Sequence, residues 1–381
     1  MKTILIFPFD LLAHYLRCLV LADQYDKKEY KILFLQSSNY DKQVKERGYD
    51  VFSCRQFEAD YVMECARKFD FSWLNAIDLE RITLDQVSAI KKYNATIIIG
   101  DVAPTLKMAA EITSVRYVSL INGYMSKYYA HTRSLSKNHT AYKFLKILPS
   151  LALNGITDLA EKIMMRQVHA PFKLIRKKYA LTLVRDYLSE IEGDENIICD
   201  YEHLFPQKQL PDTYKFIGPL IYEPDQQESL WLSLITDENP VICVCMGSTG
   251  DWDKLAFLND SYYSRYTIIT AGDKDKILNA PHVISRDFVN LNKVLKKADL
   301  MICHGGNGTI YNGIVNGVFM LCLPSHFEQE WNISAIQRNG YGKSAYQMDR
   351  LQWKVEINKA VEFSNRFKTI NFSDSLRNCN P

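Results

Sequence analysis

Twelve short runs of apolar, largely β-branched residues, spaced by helix-length segments, constrain this chain more than any other feature of its sequence. Six are predicted strands at Lys2–Pro8, Tyr30–Gln36, Thr96–Gly100, Val115–Leu120, Asn196–Cys199 and Lys215–Gly218. Six more fall at Pro240–Met246, Tyr266–Ala271, Val283–Phe288, Leu300–Cys303, Phe319–Leu323 and Gly342–Tyr346. Most are apolar throughout and do not alternate, as strands covered on both faces require. Strands separated by helical patterns imply a parallel, doubly wound α/β sheet. The pattern restarts after Gly218-Pro219. The segment Pro219–Pro240, with Glu223-Pro224-Asp225 and Asp237-Glu238-Asn239-Pro240, reads as a linker. The expectation is a domain at 1–218, a linker at 219–239 and a second α/β domain at 240–355. A C-terminal helix or tail at 356–381 is expected to pack back on the first domain.

Composition excludes more than it assigns. Across 381 residues, 46 Lys and Arg against 44 Asp and Glu leave a formal charge of +2, which gives no case for a nucleic-acid partner. The nine cysteines are scattered and form no C-x-x-C, so buried thiols in a reducing compartment are expected, not a metal site. The opening MKTILIFPFDLLAHYL lacks a small-residue cleavage site and reads as a first strand, and no run reaches about 18 apolar residues. A cytoplasmic protein is expected. One segment departs from the average: residues 137–178 carry nine Lys/Arg against Asp158 and Glu161, with Phe144, Leu145, Ile147, Leu148, Leu151, Met164 and Met165 between them. Such a stretch is either a solvated helical face over a core-facing stripe or a contact with an anionic membrane.

Candidate chemistry gathers where predicted strands end. Cys303-His304-Gly305-Gly306-Asn307-Gly308-Thr309 follows an apolar strand and opens a helical pattern. Glycines admit a ligand close to the backbone, and a helix start offers unpaired N–H groups at a positive dipole end, which suits phosphate. On that helix Thr309, Asn312, Gly313 and Asn316 fall on one face, with Ile310, Tyr311, Ile314 and Val315 on the other. A second turn, Met246-Gly247-Ser248-Thr249-Gly250, ends an earlier strand and would open on the same crevice. After Leu323-Pro324, Glu328 and Gln329 place a carboxylate beside an amide, a pair suited to vicinal sugar hydroxyls. In the first half, His14 lies just beyond the first strand and Asp101 just beyond Thr96–Gly100. A parallel sheet brings both to its carboxyl edge, where Asp101 would orient a neutral His14 as general base. Asp251-Trp252-Asp253 and Asp273-Lys274-Asp275 could hold a divalent cation that bridges a diphosphate, but so short and frequent a pattern reads first as an ordinary surface loop.

Taken together these residues resemble the UDP-glycosyltransferase family. The strongest part is HGGNGTIYNGIVNGVFMLCLPSHFEQEWN, residues 304–332, which is similar to the family's donor-binding signature. Gly247-Ser248, Asp287-Phe288-Val289, His14 in HYLRCLVLA and Asp101 in IIIGD also fall at matching places. So do Arg176–Leu183 and Leu210–Pro219, before the linker. The resemblance implies a GT-B fold, two Rossmann-like domains facing a cleft, and inverting hexose transfer, most simply from a UDP-sugar to a hydroxyl of a hydrophobic small molecule. It implies His14 as base with Asp101 supporting it, and Ser248, His304, Gly306, Gly308 and Thr309 on the diphosphate. Phe288, Val289 and Asn312 would take the nucleoside, and Glu328 and Gln329 the sugar, with neither cofactor nor metal. Three positions depart: Asn312 replaces a ribose-binding Glu, Arg17 a proline, and Asn290 a proline of the base loop. Alternatives are a lipid or lipid-linked acceptor at a membrane surface, a non-catalytic nucleotide-sugar-binding partner, and a nucleotide-sugar epimerase.

Overall fold

The computed structural model describes residues 1–137, 139, 142–145, 149–224, 232, 235, 238–273 and 275–369. They divide into two compact units, Met1–Tyr222 and Glu223–Pro381, with the division inside the segment read as a linker. The first unit is built on seven strands: β1 (Lys2–Pro8), β2 (Tyr30–Leu35), β3 (Asp50–Phe52), β4 (Ile97–Asp101), β5 (Arg116–Ile121), β6 (Glu195–Ile198) and β7 (Tyr214–Phe216). All pair in parallel, in the order β3-β2-β1-β4-β5-β6-β7. Each run is apolar on both faces because each face has a helical cover. Ile4, Ile6, Phe34 and Ile99 pack on Cys18, Leu19 and Ala22 of the helix Leu12–Ala22. Leu5, Phe7, Leu33 and Ile98 pack on Val87, Ile90 and Ala109 on the opposite side.

The second unit repeats the plan with six parallel strands: β8 (Val241–Cys245), β9 (Thr267–Ala271), β10 (Val283–Arg286), β11 (Leu300–Cys303), β12 (Met320–Cys322) and β13 (Gly342–Ser344). Their order is β10-β9-β8-β11-β12-β13. Every predicted strand is present, with ends moved by a few residues; β3 was not expected from sequence. In both sheets the winding direction reverses beside the first strand of the unit, between β1 and β4 and between β8 and β11. At such reversals the helices leave to opposite faces and the carboxyl ends of the strands stay open. The helix Arg350–Thr369 runs across the expected boundary at 355, and its Trp353, Ile357 and Ala360 join the second unit's own core. Residues 370–381 of the expected tail lie outside the described residues, as do Lys146, Ile147 and Leu148 of the basic stretch. Among the described residues no helix is long and apolar enough to cross a membrane.

A buried ion network braces the first unit's helical layer. Arg176, at the end of the helix Ala170–Lys178, reaches both carboxylate oxygens of Glu190 at 2.7–3.1 Å and Glu111 at 2.9 Å. His169 Nε2 sits 2.7 Å from Glu190 Oε2. Arg176, Glu190 and His169 are all buried. Removing one partner of such a group strands the other charge in a medium of low dielectric constant. Arg176→Ala is therefore expected to lower the unfolding free energy of this unit by about 3–5 kcal/mol, read by urea denaturation.

Candidate active site

The first cluster stands at the reversal in the first sheet. Strand β1 ends with Pro8 in register with Asp101, the last residue of β4, and the Phe9 N–H donates to the Asp101 carbonyl at 2.9 Å. This ties the turn that leads into the helix Leu12–Ala22 to the end of β4. His14, in the first turn of that helix, thereby puts Nδ1 2.9 Å from Asp101 Oδ1. Its ring also meets Phe9 edge-on, 5.8 Å between centroids. The two residues that the sequence argument placed at one sheet edge are in direct contact.

Asp101 is wholly buried. Burial alone would push its carboxyl up, but the charges of Arg17 and His14 and their hydrogen bonds prevail and hold it at about 2. Arg17, which sequence reading noted only as standing in place of a proline, donates Nε and Nη2 to both Asp101 oxygens. The residue after Asp101, Val102, has φ 52°, a left-handed conformation that costs a β-branched side chain roughly 1–3 kcal/mol. No local pattern announces either feature.

The second cluster stands at the equivalent reversal, after β8 and β11. Strand register sets Cys245 opposite Cys303, so the turn at Gly247 lies beside His304. Packing there leaves no room for a β-carbon. One added at Gly247 would lie 2.6 Å from His304 Cε1, and one at Gly306 would collide with Nε2. The imidazole is sandwiched between two glycines. Burial lowers its pKa to about 4, against a smaller opposing effect of a hydrogen bond to the Cys245 backbone, so His304 is neutral near pH 7. Its Nδ1 is buried without a hydrogen-bond partner. Gly305 follows at φ 83°, pressed on Ile333. Gly306 then caps the helix Asn307–Val315.

The loops are cross-braced. Gln329, expected at a sugar, is buried and its amide is spent inside the fold. Its Oε1 accepts from the Ser325 N–H at 2.7 Å and its Nε2 donates to Thr249 Oγ1 at 2.9 Å. Glu328, one residue before it in the first turn of the helix Phe327–Arg338, is half-buried. Asn332 Nδ2 holds the Gly305 carbonyl at 3.0 Å. Ser248 is exposed in the β8 turn, and Gly308 has open space where a β-carbon would stand.

Further along the sheet edge, Phe288 is exposed and Val289 buried. Asn290, in place of the proline, caps the helix Leu291–Leu295 by accepting from the Lys293 N–H at 3.1 Å. Asn312 Nδ2 donates to the Gly308 carbonyl at 2.7 Å, which leaves Oδ1 as the acceptor turned away from that bond. Two helix-face assignments need correction. Gly313 packs against Met320, where a β-carbon would come 2.6 Å from Sδ, and Val315 is exposed because the helix ends there. Asp273 accepts from the Ile277 and Leu278 N–H groups and so shapes a turn.

Residues 260–371 match the family described as Glycosyltransferase family 28 C-terminal domain. A PGL/p-HBAD biosynthesis glycosyltransferase of Mycobacterium tuberculosis is 22% identical over 336 residues, covering 87% of this chain and 77% of the relative. Among solved structures, the calicheamicin glycosyltransferase CalG4 superposes with a TM-score of 0.67 at 15% identity, over 97% of this chain and 93% of the other. The spinosyn rhamnosyltransferase SpnG complexed with thymidine diphosphate gives 0.65 at 15% identity, over 97% and 95%.

The two glycines of the second cluster should separate in a stability measurement. Gly306→Ala, driven into a ring that Gly247 holds from behind, is expected to cost roughly 1–3 kcal/mol. Gly308→Ala, which meets nothing, should leave the thermal midpoint unchanged or slightly raised.

Proposed function

For this glycosyltransferase of GT-B fold we propose an inverting transfer of a hexose from a nucleoside diphosphate sugar to a hydroxyl of a hydrophobic or amphiphilic small molecule. The observation that carries this reading is the His14–Asp101 contact at 2.9 Å beside the strand reversal of the first unit. With Nδ1–H donated to Asp101, His14 Nε2 is the nitrogen that takes the acceptor proton. The acceptor oxygen attacks the anomeric carbon as the bond to the diphosphate breaks, and one displacement inverts that carbon. The leaving diphosphate takes the bonding electrons. The N–H groups of the Gly306–Thr309 helix start oppose the charge that develops there, with Ser248 and His304 beside them. Gly308 contributes by being bare. On the nucleoside, Phe288 offers an exposed ring and Asn312 an acceptor oxygen. Glu328 is assigned to the sugar hydroxyls, and Gln329 holds the Ser325 and Thr249 loops around them. The donor is read as a UDP-hexose. The thymidine diphosphate bound to SpnG makes the thymidine form its natural competitor.

His14→Ala should lose roughly 10²–10⁴-fold in rate while still binding nucleotide, and an undiminished rate would remove His14 from the mechanism. Calorimetric titration with UDP and with TDP, without added divalent cation, tests the donor half. Binding that His304→Ala and Gly308→Val both weaken is expected. Equal binding by these variants would count against the diphosphate assignment.

A specific observation favours a lipid acceptor reached at a membrane surface. The helix Ser150–Val168 turns Met165 into the core, yet its outward face carries Leu159 (62% exposed), Ile163 (49%) and Ile156 (44%). Lys162 and Arg166 flank these residues, and Leu174 stands exposed between Lys173 and Lys177 on the next helix. The apolar content of the basic stretch is thus partly outward, which a plain solvated face would not be. Burying one such side chain gains about 1.5–3 kcal/mol, and lysines add attraction to anionic lipid. The protein should sediment with phosphatidylserine-containing vesicles at low salt, and Leu159→Glu with Ile163→Glu should abolish it. Failure of the unaltered protein to sediment would refute the membrane contact.

A further inference from the structure

Resting on the reading of His14 as base, we propose that Arg17 is a positioning residue that converts the histidine–aspartate pair into a charge-neutral triad and opposes protonation of His14. Arg17 lies one helical turn after His14 and is buried against β4, while His14 is partly buried. Its Nε and Nη2 engage both Asp101 oxygens. Nη1 reaches Asn122 Oδ1 at 2.5 Å, and Asn122 in turn donates to the Tyr124 hydroxyl at 2.5 Å. Nη2 also stands 3.2 Å from His14 Nδ1. One oxygen, Asp101 Oδ1, therefore faces both the imidazole and the guanidinium.

The charge count follows from donor chemistry. A guanidinium only donates and does not lose its proton, so it cannot share the Nδ1 proton. Nδ1 also stands 2.9 Å from Asp101 Oδ1, where two lone pairs would repel, so the contact with Asp101 favours Nδ1–H and the tautomer with a free Nε2 lone pair. An aspartate facing histidine alone carries −1 and becomes neutral when the ring is protonated. Here the resting trio is neutral and becomes +1. A fixed cation at this distance disfavours a second positive charge on the ring.

The neighbouring thiols and phenols supply no compensating charge, and the buried Asp200 carboxylate beyond Cys199 is engaged by the Gly123 N–H. Cys18 Sγ is 3.8 Å from Asp101 Oδ2 and Cys199 Sγ 3.6 Å from Arg17 Nη1. Burial holds both thiols protonated, Cys18 well above its ordinary range and Cys199 at about 12. Asp10, in the turn before the helix, acts on Tyr15 and Tyr40, and burial keeps both phenols neutral.

The test is an NMR titration of the His14 ring, assigned by the signal lost in His14→Ala, alongside the pH dependence of kcat/KM. In Arg17→Met the ring's midpoint and the acid limb of kcat/KM should both move up by about one pH unit or more. Arg17→Lys keeps the cation, so its midpoint should stay close to the unaltered protein while its plateau rate falls. An unmoved midpoint in folded Arg17→Met overturns the proposal. Should that variant not fold, Arg17→Met is made together with Asp101→Asn and compared with Asp101→Asn alone, a pair in which no buried carboxylate is left unpaired. The same upward move is expected, and its absence is equally fatal. A His14→Ala enzyme of full activity would instead remove the base assignment, while the ring titration would still decide what Arg17 does to its neighbour.

Discussion

Both candidate clusters in this chain hang on a topological constraint: a parallel sheet wound in both directions must reverse somewhere. On either side of the reversal the connecting helices depart to opposite faces, so nothing covers the carboxyl ends of the two strands between them. The first unit puts Pro8 and Asp101 at that place, and the second puts Cys245 and Cys303 there. His14 and His304 are the first histidines the chain supplies beyond β1 and β11. One architectural rule, applied twice, accounts for where both clusters lie.

The two histidines are then treated in opposite ways, His14 partly exposed and His304 buried. His14 keeps a carboxylate as its neighbour, and that carboxylate stays ionised in burial because the Arg17 guanidinium, together with His14, faces it. His304 has neither, and burial leaves it a neutral ring wedged between backbone turns. Ionised side chains are concentrated in the first unit's interior, at Arg17–Asp101 and again at Arg176–Glu190. The second unit relies on backbone N–H groups, amide side chains and glycines. Under the roles proposed for them, the first cluster would use fixed charges to handle a proton and the second would use dipoles, which need no counter-ion, to hold an anion.

Much of this was legible in the sequence because continuous apolar runs have one structural meaning when helices alternate with them. The strand β3 escaped because Asp50-Val51-Phe52 is too short to show any period. The pairing of His14 with Asp101 was readable from topology, since both follow strands of one parallel sheet. Arg17 was visible only as a departure, because its partner is 84 positions away and no local spacing encodes it. The Ser325 and Thr249 bonds of Gln329 were hidden for a related reason. Adjacency to Glu328 suggested shared work, but consecutive residues on a helix point about 100° apart, and one of them turned inward. The left-handed backbone at Val102 leaves no trace in composition at all.

The sandwich around His304 has a consequence for how this sequence can drift. Gly247 and Gly306 are 59 positions apart, yet each is excluded from gaining a side chain by the same ring. While the histidine stays, both glycines are frozen. Were it replaced by a smaller residue, both would be released together, and a β-carbon at either would then bar the histidine's return. Loss of that one imidazole would work as a ratchet, easy to enter and hard to reverse by single steps.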